Sequence, residues 1–387
     1  MKNRLTSAGY TNWQLTTMIY STLIGVGVLT LPRTSTQILQ QNGWLSPILG
    51  GLVAMLSSVA IAKLSDRFPR LTLVQFSPLI WGTDRRNNRI GKWLGLPWIL
   101  FFLAYMYVIT AMTSRVFGEV VVTAVLRDTP LEAIIIAMFL LAFFLCLHDL
   151  DVVARVNELL FLVILFPILL IAIASFQKAD WNNLLPLSNV SWQQVLKGSL
   201  ETSFSYQGYE IMLIFYAFAL PGAKKVKTGL WGIGLSIMVY TLVVVAGIVV
   251  FGDEELQKVT WPTLEIVKTT KVPGLILERL ESAFLGVWVA AVFTTIANFY
   301  YCFIYGLRQL LGKGIRFQRY AGFFLFIPLF YISLQPQNIT ELFKVMNTLG
   351  YLGLIVSLVI PSLYLLVSII RGKSTKRPRM EETNDEV

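Results

Sequence analysis

The sequence predicts an all-α membrane protein with ten transmembrane helices. Three observations lead to this fold class: an apolar composition, long apolar segments, and the distribution of basic residues among the connections. Of the 387 residues, 55% are hydrophobic and 14% are charged, and the mean hydropathy is +0.65. Ordinary soluble domains do not have this balance, whereas apolar segments of about 18 or more residues are typical of membrane spans.

The apolar segments divide the chain into ten predicted spans. Consecutive spans must cross the bilayer in alternating directions, so an even number places both termini on the same side. We place the spans at residues 12–38, 44–63, 93–120, 131–147, 153–176, 199–220, 228–251, 275–306, 318–334 and 345–370.

The basic residues test this count, because cytoplasmic connections of membrane proteins carry an excess of lysine and arginine. If ten spans alternate, connections 64–92, 221–227 and 307–317 and the tail 371–387 lie on one side and carry most of the basic residues. This pattern predicts that both termini are cytoplasmic. The net charge of +10 is then a topology signal and an attraction to the lipid bilayer, and we expect no nucleic-acid partner.

Ten spans in a single domain, residues 1–387, suggest two sets of five with opposite orientation. Inverted repeats of this kind are common in transporters, which place discontinuous helices at the binding site. We expect repeat one at about 12–176 and repeat two at about 199–370, followed by the cytoplasmic tail. The first span of each repeat is interrupted: span 1 by "IGVG" within "YSTLIGVGVLTLP", and span 6 by Gly208 within "SLETSFSYQGYEIMLIFYAFALP".

The glycines of span 1 predict a break that exposes backbone groups to a ligand. Glycine inside a helix costs about 1 kcal/mol relative to alanine, and unwound backbone is tolerated in a membrane only where it faces protein or a water-filled cavity. The predicted cradle for a carboxylate consists of Ile24, Gly25, Val26 and Gly27, with Thr22 as a nearby side-chain donor. The alternative is that the glycines only allow neighbouring helices to pack closely.

Polar residues near the predicted midplane extend the candidate site. Glu210 could meet a ligand amine, or it could tie two helices together. Arg33 could latch an outer gate, or it could extend its charge towards the headgroups. The other candidates also have ordinary packing or interhelical roles as alternatives; they are Tyr105 in span 3, Tyr206, Gln207, Gly208 and Tyr209 around the second interruption, and Thr294, Thr295 and Asn298 in span 8.

Motifs of enzyme chemistry are missing from the sequence. It contains no nucleotide-binding loop, nucleophile constellation or metalloprotease helix, one histidine, His148, and two cysteines. We therefore expect a protein that is not an enzyme and has neither a cofactor nor a metal site. The long outer connections 177–198 and 252–274 contain Trp181, Trp192 and Trp261, a residue type that favours the membrane interface, and the second connection could cover an outer vestibule.

Three motifs resemble those of the spore-germination permeases, the integral-membrane B subunits of germinant receptors. They are "IGVGVLTLP" at 24–32, "DRFPRLTLVQFSPLIWG" at 66–82 followed by "GKWLG" at 91–95, and "WPTLEIVKTTKVPGLILERLESAFLGVWV" at 261–289. The Arg67-Phe68-Pro69 and Glu278-Arg279 runs are the more specific parts. That family is similar to the amino acid–polyamine–organocation transporters, which implies a LeuT-like fold with helices 1 and 6 discontinuous.

The resemblance also implies a function. Members of this family sense a small nutrient such as an amino acid, sugar or nucleoside in the inner spore membrane, and here an amino acid is the expected class. They work with an A subunit and a lipoprotein C subunit to trigger germination. By the resemblance, Gly25 and Gly27 match the ligand-contacting break of helix 1, and Gly208 matches that of helix 6.

One departure from related permeases concerns the coupling ion. Some proton-coupled relatives carry a lysine in span 5 in place of a cation, whereas span 5 here offers Asn157 and Glu158. Three hypotheses remain: a ligand-sensing receptor subunit, an active amino-acid transporter, and a ligand-gated ion conduit.

Overall fold

Each of the ten predicted spans overlaps with helical segments in the part of the chain that the structure describes. The computed structural model describes residues 9–82, 89–186, 190–270 and 280–375. The Glu278-Arg279 run, the end of the tail and the side chain of Val26 lie outside the described residues. The helices are α1 Asn12–Leu39, α2 Leu45–Arg67, α3 Leu73–Trp81, α4 Arg89–Ala124, α5 Leu131–Cys146, α6 Leu150–Ser175, α7 Trp192–Ser203, α8 Met212–Phe215, α9 Lys225–Lys258, α10 Pro262–Thr269, α11 Leu280–Leu310, α12 Ile315–Phe324, α13 Phe326–Ser333, α14 Ile339–Leu354 and α15 Ile360–Ile370.

Helix length and hydropathy identify most of these segments as membrane spans. Within the described ranges, six helices are long and apolar enough to cross a bilayer, and the two arms of α1 together make a seventh. The other three predicted spans are shorter or broken helices: α5, the segment from α7 to Phe218, and the pair α12 and α13. The fold class is confirmed, and the count of ten stays a prediction.

Helix α1 lies at the centre of the bundle. It packs against α6, α7, α9 and α11, and residues such as Met18, Ile19 and Ile24 are fully buried. Its bend is therefore surrounded by protein, as a distorted membrane helix requires.

The interruption of span 1 is a sharp bend. The arms Asn12–Gly25 and Gly27–Asn42 meet at 60°, while the backbone stays helical from Asn12 to Leu39. The expected discontinuity is therefore present, but an open unwound loop is not.

Span 6 is broken more completely. Helix α7 ends at Ser203, Gln207 is extended with ψ 140°, and Gly208 has φ 138°, after which only short helical turns follow to Phe218. Residues with a side chain rarely adopt a φ of this value, so the break depends on glycine at position 208. The second predicted discontinuity is confirmed.

The outer connection after span 7 folds back onto the bundle. Gly252, with φ 72°, ends the straight part of α9, and α10 then packs against α1, α9 and α11. Trp261, just before α10, is only 6% exposed. Its ring packs edge-on against the ring of Phe343, with centroids 5.7 Å apart. Trp261 is therefore covered by protein, because α10 is docked against the bundle, and its interfacial position stays a prediction. Trp181 and Trp192 are exposed.

At the inner end of the bundle, Arg67 joins span 2 to the end of span 10, and Arg371 joins the end of span 10 to α3. Arg67 Nη2 donates hydrogen bonds to the carbonyl oxygens of Ser368 (3.0 Å) and Lys373 (3.1 Å). Arg371 Nη1 donates to the carbonyl oxygen of Ile80 at 2.7 Å, at the end of α3. These bonds satisfy carbonyls at helix C-termini and hold the start of the tail against the inner connection.

Candidate ligand-binding site

A cavity of about 340 Å³ lies beside the two interrupted helices. Its walls come from spans 1, 3, 6, 8 and 10, on the side of the bundle that the predicted topology assigns to the outside. The lining residues are Thr22, Leu23, Gly27, Thr30, Arg33, Thr34, Gln37, Ile109, Thr113, Val116, Glu201, Phe204, Ser205, Gln207, Thr295, Phe299, Phe343, Met346, Asn347 and Gly350.

The outer arm of α1 contributes a row of polar residues to the cavity. Gly27, Thr30, Thr34 and Gln37 line it, and their spacing of three, four and three residues puts them on one face of a helix. Thr30, Thr34 and Gln37 were not among the residues predicted from the sequence. This spacing of polar side chains in an apolar segment was the signal that could have revealed them.

Spans 3, 8 and 10 contribute mostly apolar side chains to the lining. They include Ile109 and Val116 of span 3 and Phe299, Phe343 and Met346 of spans 8 and 10. Sequence pattern gives little indication of such residues, because similar side chains face lipid and core throughout the chain. A concave site of a few hundred Å³ that combines apolar walls with placed polar groups is typical of a small-molecule site.

Side chains from neighbouring helices bind the carbonyl oxygens around the bend of α1. Trp288 Nε1 donates to the carbonyl of Gly25 at 2.7 Å, and Tyr240 OH donates to that of Leu23 at 2.5 Å. Thr295 Oγ1 donates to the carbonyl of Thr22 at 3.0 Å. A bend weakens the internal hydrogen bonds of a helix, and these donors compensate for that loss.

A buried amide network continues from the bend into span 5. Asn298 Nδ2 donates to Thr22 Oγ1 at 2.8 Å and to Asn157 Oδ1 at 2.9 Å. Asn157 Nδ2 donates back to Asn298 Oδ1 at 3.0 Å, and both asparagines are fully buried. Thr294 lies beside this network and donates to the carbonyl of Ser21 at 3.2 Å. Neutral amides therefore link spans 1, 5 and 8 here.

At the second break, Gln207 bridges two other spans. Its Nε2 donates to the carbonyl of Gly350 in span 10 at 2.5 Å, and its Oε1 accepts from Tyr105 OH in span 3 at 3.0 Å. Gln207 and Gly350 both line the cavity. A ligand that contacts Gln207 would therefore affect the broken part of span 6 and its hydrogen bonds to span 3 and span 10.

Tyr206, Tyr209 and Glu210 of the second break do not line the cavity. Tyr206 OH donates to the carbonyl of Pro47 in α2 at 2.7 Å. Glu210 is fully buried, and its Oε2 accepts from the backbone N–H of Gly208 at 2.7 Å. Tyr209 is 3% exposed. In this structure, the Glu210 carboxylate therefore binds a backbone N–H of the break itself.

The structure brings five of the predicted residues together around the cavity: Thr22, Gly27, Arg33, Gln207 and Thr295. The remainder are packed behind this lining within the same bundle; they are Ile24, Gly25, Tyr105, Tyr206, Gly208, Tyr209, Glu210, Thr294 and Asn298. Val26 lies at the bend, and its side chain is outside the described residues. A Cβ on Gly25 would overlap with Thr295 Oγ1, so glycine here permits a close approach between spans 1 and 8.

Two of the lining residues are charged. The Arg33 guanidinium lies over the ring of Phe343, 5.5 Å from its centroid, in cation–π range. Glu201 lies on α7 in span 6. It forms a long ion pair with Lys197, whose Nζ is 3.9 Å from Glu201 Oε1. In the described ranges, no group of three or more His, Cys, Asp or Glu side chains could hold a metal ion.

A cavity between two interrupted helices in an apolar helical bundle defines a membrane protein of the LeuT-type fold. Two solved structures share it at 12% sequence identity. MhsT in complex with L-phenylalanine has a TM-score of 0.62, covering 93% of this chain and 97% of that chain. A substrate-bound, Na⁺-coupled sialic acid symporter has a TM-score of 0.65, covering 90% and 78%.

Within that fold, the chain belongs to the spore germination protein family, whose model matches residues 11–342. It is 32% identical to spore germination protein YndE of Bacillus subtilis (strain 168), over 95% of this chain and 98% of that protein. It is 24% identical to spore germination protein A2 of the same strain, over 97% of this chain and 100% of that protein. The chain is therefore a multi-pass membrane protein of a spore germination family.

Proposed function

We propose that this chain is the nutrient-sensing membrane subunit of a spore germinant receptor. It binds a small-molecule nutrient in the cavity between spans 1 and 6, and binding triggers germination. The observation that carries the proposal is that both interrupted helices of a germination-family protein border one cavity, through Gly27 on span 1 and Gln207 on span 6.

Binding in this cavity has a direct route to a conformational change. A ligand shifts a protein towards the arrangement that it binds more tightly. Gln207 connects the cavity to Tyr105 and Gly350, and the bend of α1 is held by donors from spans 7 and 8. A nutrient that competes for Gln207 or changes the bend would alter the packing among these spans.

We also propose where the chain lies and which subunits it acts with. The chain lies in the inner spore membrane with both termini on the core side, and it acts with an A subunit and a lipoprotein C subunit. The basic inner connections and the membership of a germination family support this assignment. Arg67 and Arg371 keep the inner connection and the start of the tail together, which offers a defined surface for a partner.

A second candidate is active transport of the nutrient. The likeness to solved transporters favours it, because their fold changes access to a central site. A ligand-gated ion conduit would use the same cavity. Purified protein in liposomes separates these functions: uptake of a labelled nutrient indicates transport, and nutrient-dependent cation flux without uptake indicates a conduit.

Spores test the sensing proposal. A strain that lacks the chain should lose its response to one nutrient, and the wild-type chain should restore it. Thr30→Trp would fill the cavity and should fail to restore the response, although the protein is present in the membrane. Leu56→Trp is the matched control, because Leu56 is 71% exposed on α2 and lies outside the cavity. If the strain responds normally without the chain to all nutrients that trigger its parent, the proposed function is wrong.

A further inference from the structure

The two charged residues that line the cavity belong to different spans and carry opposite signs. Arg33 lies on the outer arm of α1 and Glu201 on α7. Charged side chains are expensive within a membrane protein and mark functional sites by default. Both line the same cavity, and in the described part of the chain they form no ion pair with each other.

Arg33 is available to an anionic group. Within the described ranges the Arg33 guanidinium has neither a hydrogen bond nor an ion pair. It makes a cation–π contact with the ring of Phe343. A guanidinium presents a planar fork of N–H donors that matches a carboxylate. A carboxylate entering the cavity would therefore find an unpaired partner already held against an aromatic ring.

Glu201 is available to a cationic group. Its partner Lys197 is at 3.9 Å with a side chain that is 70% exposed, and exposed ion pairs of this kind contribute little. The Glu201 side chain itself is 25% exposed. An ammonium group in the cavity would compete with Lys197 for this carboxylate at small cost.

We propose that Arg33 and Glu201 bind the carboxylate and the ammonium of a free amino acid in this cavity. This inference rests on the proposed function and narrows the nutrient to a zwitterion, excluding neutral sugars and nucleosides. It also assigns the carboxylate to the Arg33 side chain on the cavity wall. The polar face of α1 and the apolar wall of Phe299 and Met346 then surround the rest of the molecule.

Analogues of the ligand test the two contacts separately. The purified full-length chain is screened by thermal shift against the twenty L-amino acids, several sugars and several nucleosides. The amino acid that stabilises it most is compared by calorimetry with its carboxamide, which lacks the carboxylate, and its N-acetyl form, which lacks the ammonium. Wild-type protein should bind each analogue about 10- to 100-fold more weakly than the free amino acid, the effect expected for one charged hydrogen-bonded contact.

The variants give a signature that misfolding cannot imitate. Arg33→Gln should weaken binding of the free amino acid and remove the discrimination against the carboxamide, while the discrimination against the N-acetyl form remains. Glu201→Gln should do the reverse. Lys197→Gln removes the residue that competes with the ligand for Glu201, so this variant should bind the free amino acid no more weakly than the wild type.

Three results would overturn this inference. One is stabilisation by a sugar or nucleoside and by no amino acid, which leaves the sensing function intact. Another is a loss of affinity in Arg33→Gln with the discrimination against the carboxamide unchanged. A screen in which no amino acid stabilises the protein also rejects the zwitterion, whereas the spore experiment judges the sensing function independently.

Discussion

The indole N–H of Trp288 donates a hydrogen bond to the carbonyl oxygen of Gly25 at 2.7 Å. This bond joins span 8 to the bend of span 1, and both partners are buried. The ring of Trp288 also stacks on Phe117 with centroids 5.6 Å apart, so its position is fixed from two sides. The bend beside the cavity is therefore a supported feature of the bundle.

Trp288→Phe would remove the N–H and keep an aromatic ring next to Phe117. We expect a loss of stability of about 1–3 kcal/mol, because the Gly25 carbonyl would be left buried without its partner. Thermal unfolding of the purified protein measures the effect. Trp231→Phe is the control, since Trp231 is 57% exposed on α9. Equal melting temperatures for Trp288→Phe and the wild type would show that the bond does not support the bend.

Gly25→Ala should abolish the nutrient response while the protein remains in the membrane. The new Cβ would overlap with Thr295 Oγ1 and displace the donor that satisfies the Thr22 carbonyl. Spore germination and immunoblotting of spore membranes measure the two outcomes. Gly286→Ala on α11 is a matched control, because its Cβ would meet no atom within 4 Å. A normal nutrient response in Gly25→Ala spores would contradict the importance of this close approach.

Gln207→Leu should raise the nutrient concentration needed for half-maximal germination. The change removes the hydrogen bonds to Gly350 and Tyr105 and one polar group of the cavity. Tyr105→Phe removes only one of these bonds, so its effect should be smaller and in the same direction. Dose–response curves of spores carrying each variant provide the comparison. An effect of Tyr105→Phe larger than that of Gln207→Leu would show that Tyr105 acts by another route.

The amide pair Asn157–Asn298 should behave as one unit. Single alanine variants would each leave a buried amide partly unsatisfied, whereas the double variant removes both members. We expect the double variant to lose less stability than the sum of the two single variants, as measured by thermal unfolding. Additive losses would mean that the two amides contribute independently.

The sequence predicted the two interruptions well, because their cause is local. Gly208 adopts a φ that favours glycine, and Gly25 and Gly27 mark the bend of α1. The sequence could not predict that the carbonyls of the bend would be occupied by Trp288 and Tyr240, since these contacts join residues more than 200 positions apart.

The cavity lining was predicted only in part. Thr30 and Thr34 have a recognisable helical spacing, but Phe343 and Met346 line the cavity because of how span 10 is placed, which no local pattern encodes. Glu210 was a candidate for a ligand amine, and the structure directs its carboxylate to the Gly208 N–H. Glu201, which faces the cavity, lacked a local motif.

Thiol labelling measures ligand occupancy of the cavity most directly. Both native cysteines, Cys146 and Cys302, are buried, so a single cysteine in place of Thr30 reports on the cavity. The nutrient that triggers germination should slow its reaction with a membrane-impermeant thiol reagent and leave Trp192→Cys, at a position 73% exposed, unaffected. If the nutrient still triggers germination but does not change the labelling rate at position 30, it binds elsewhere and the cavity is not the sensor.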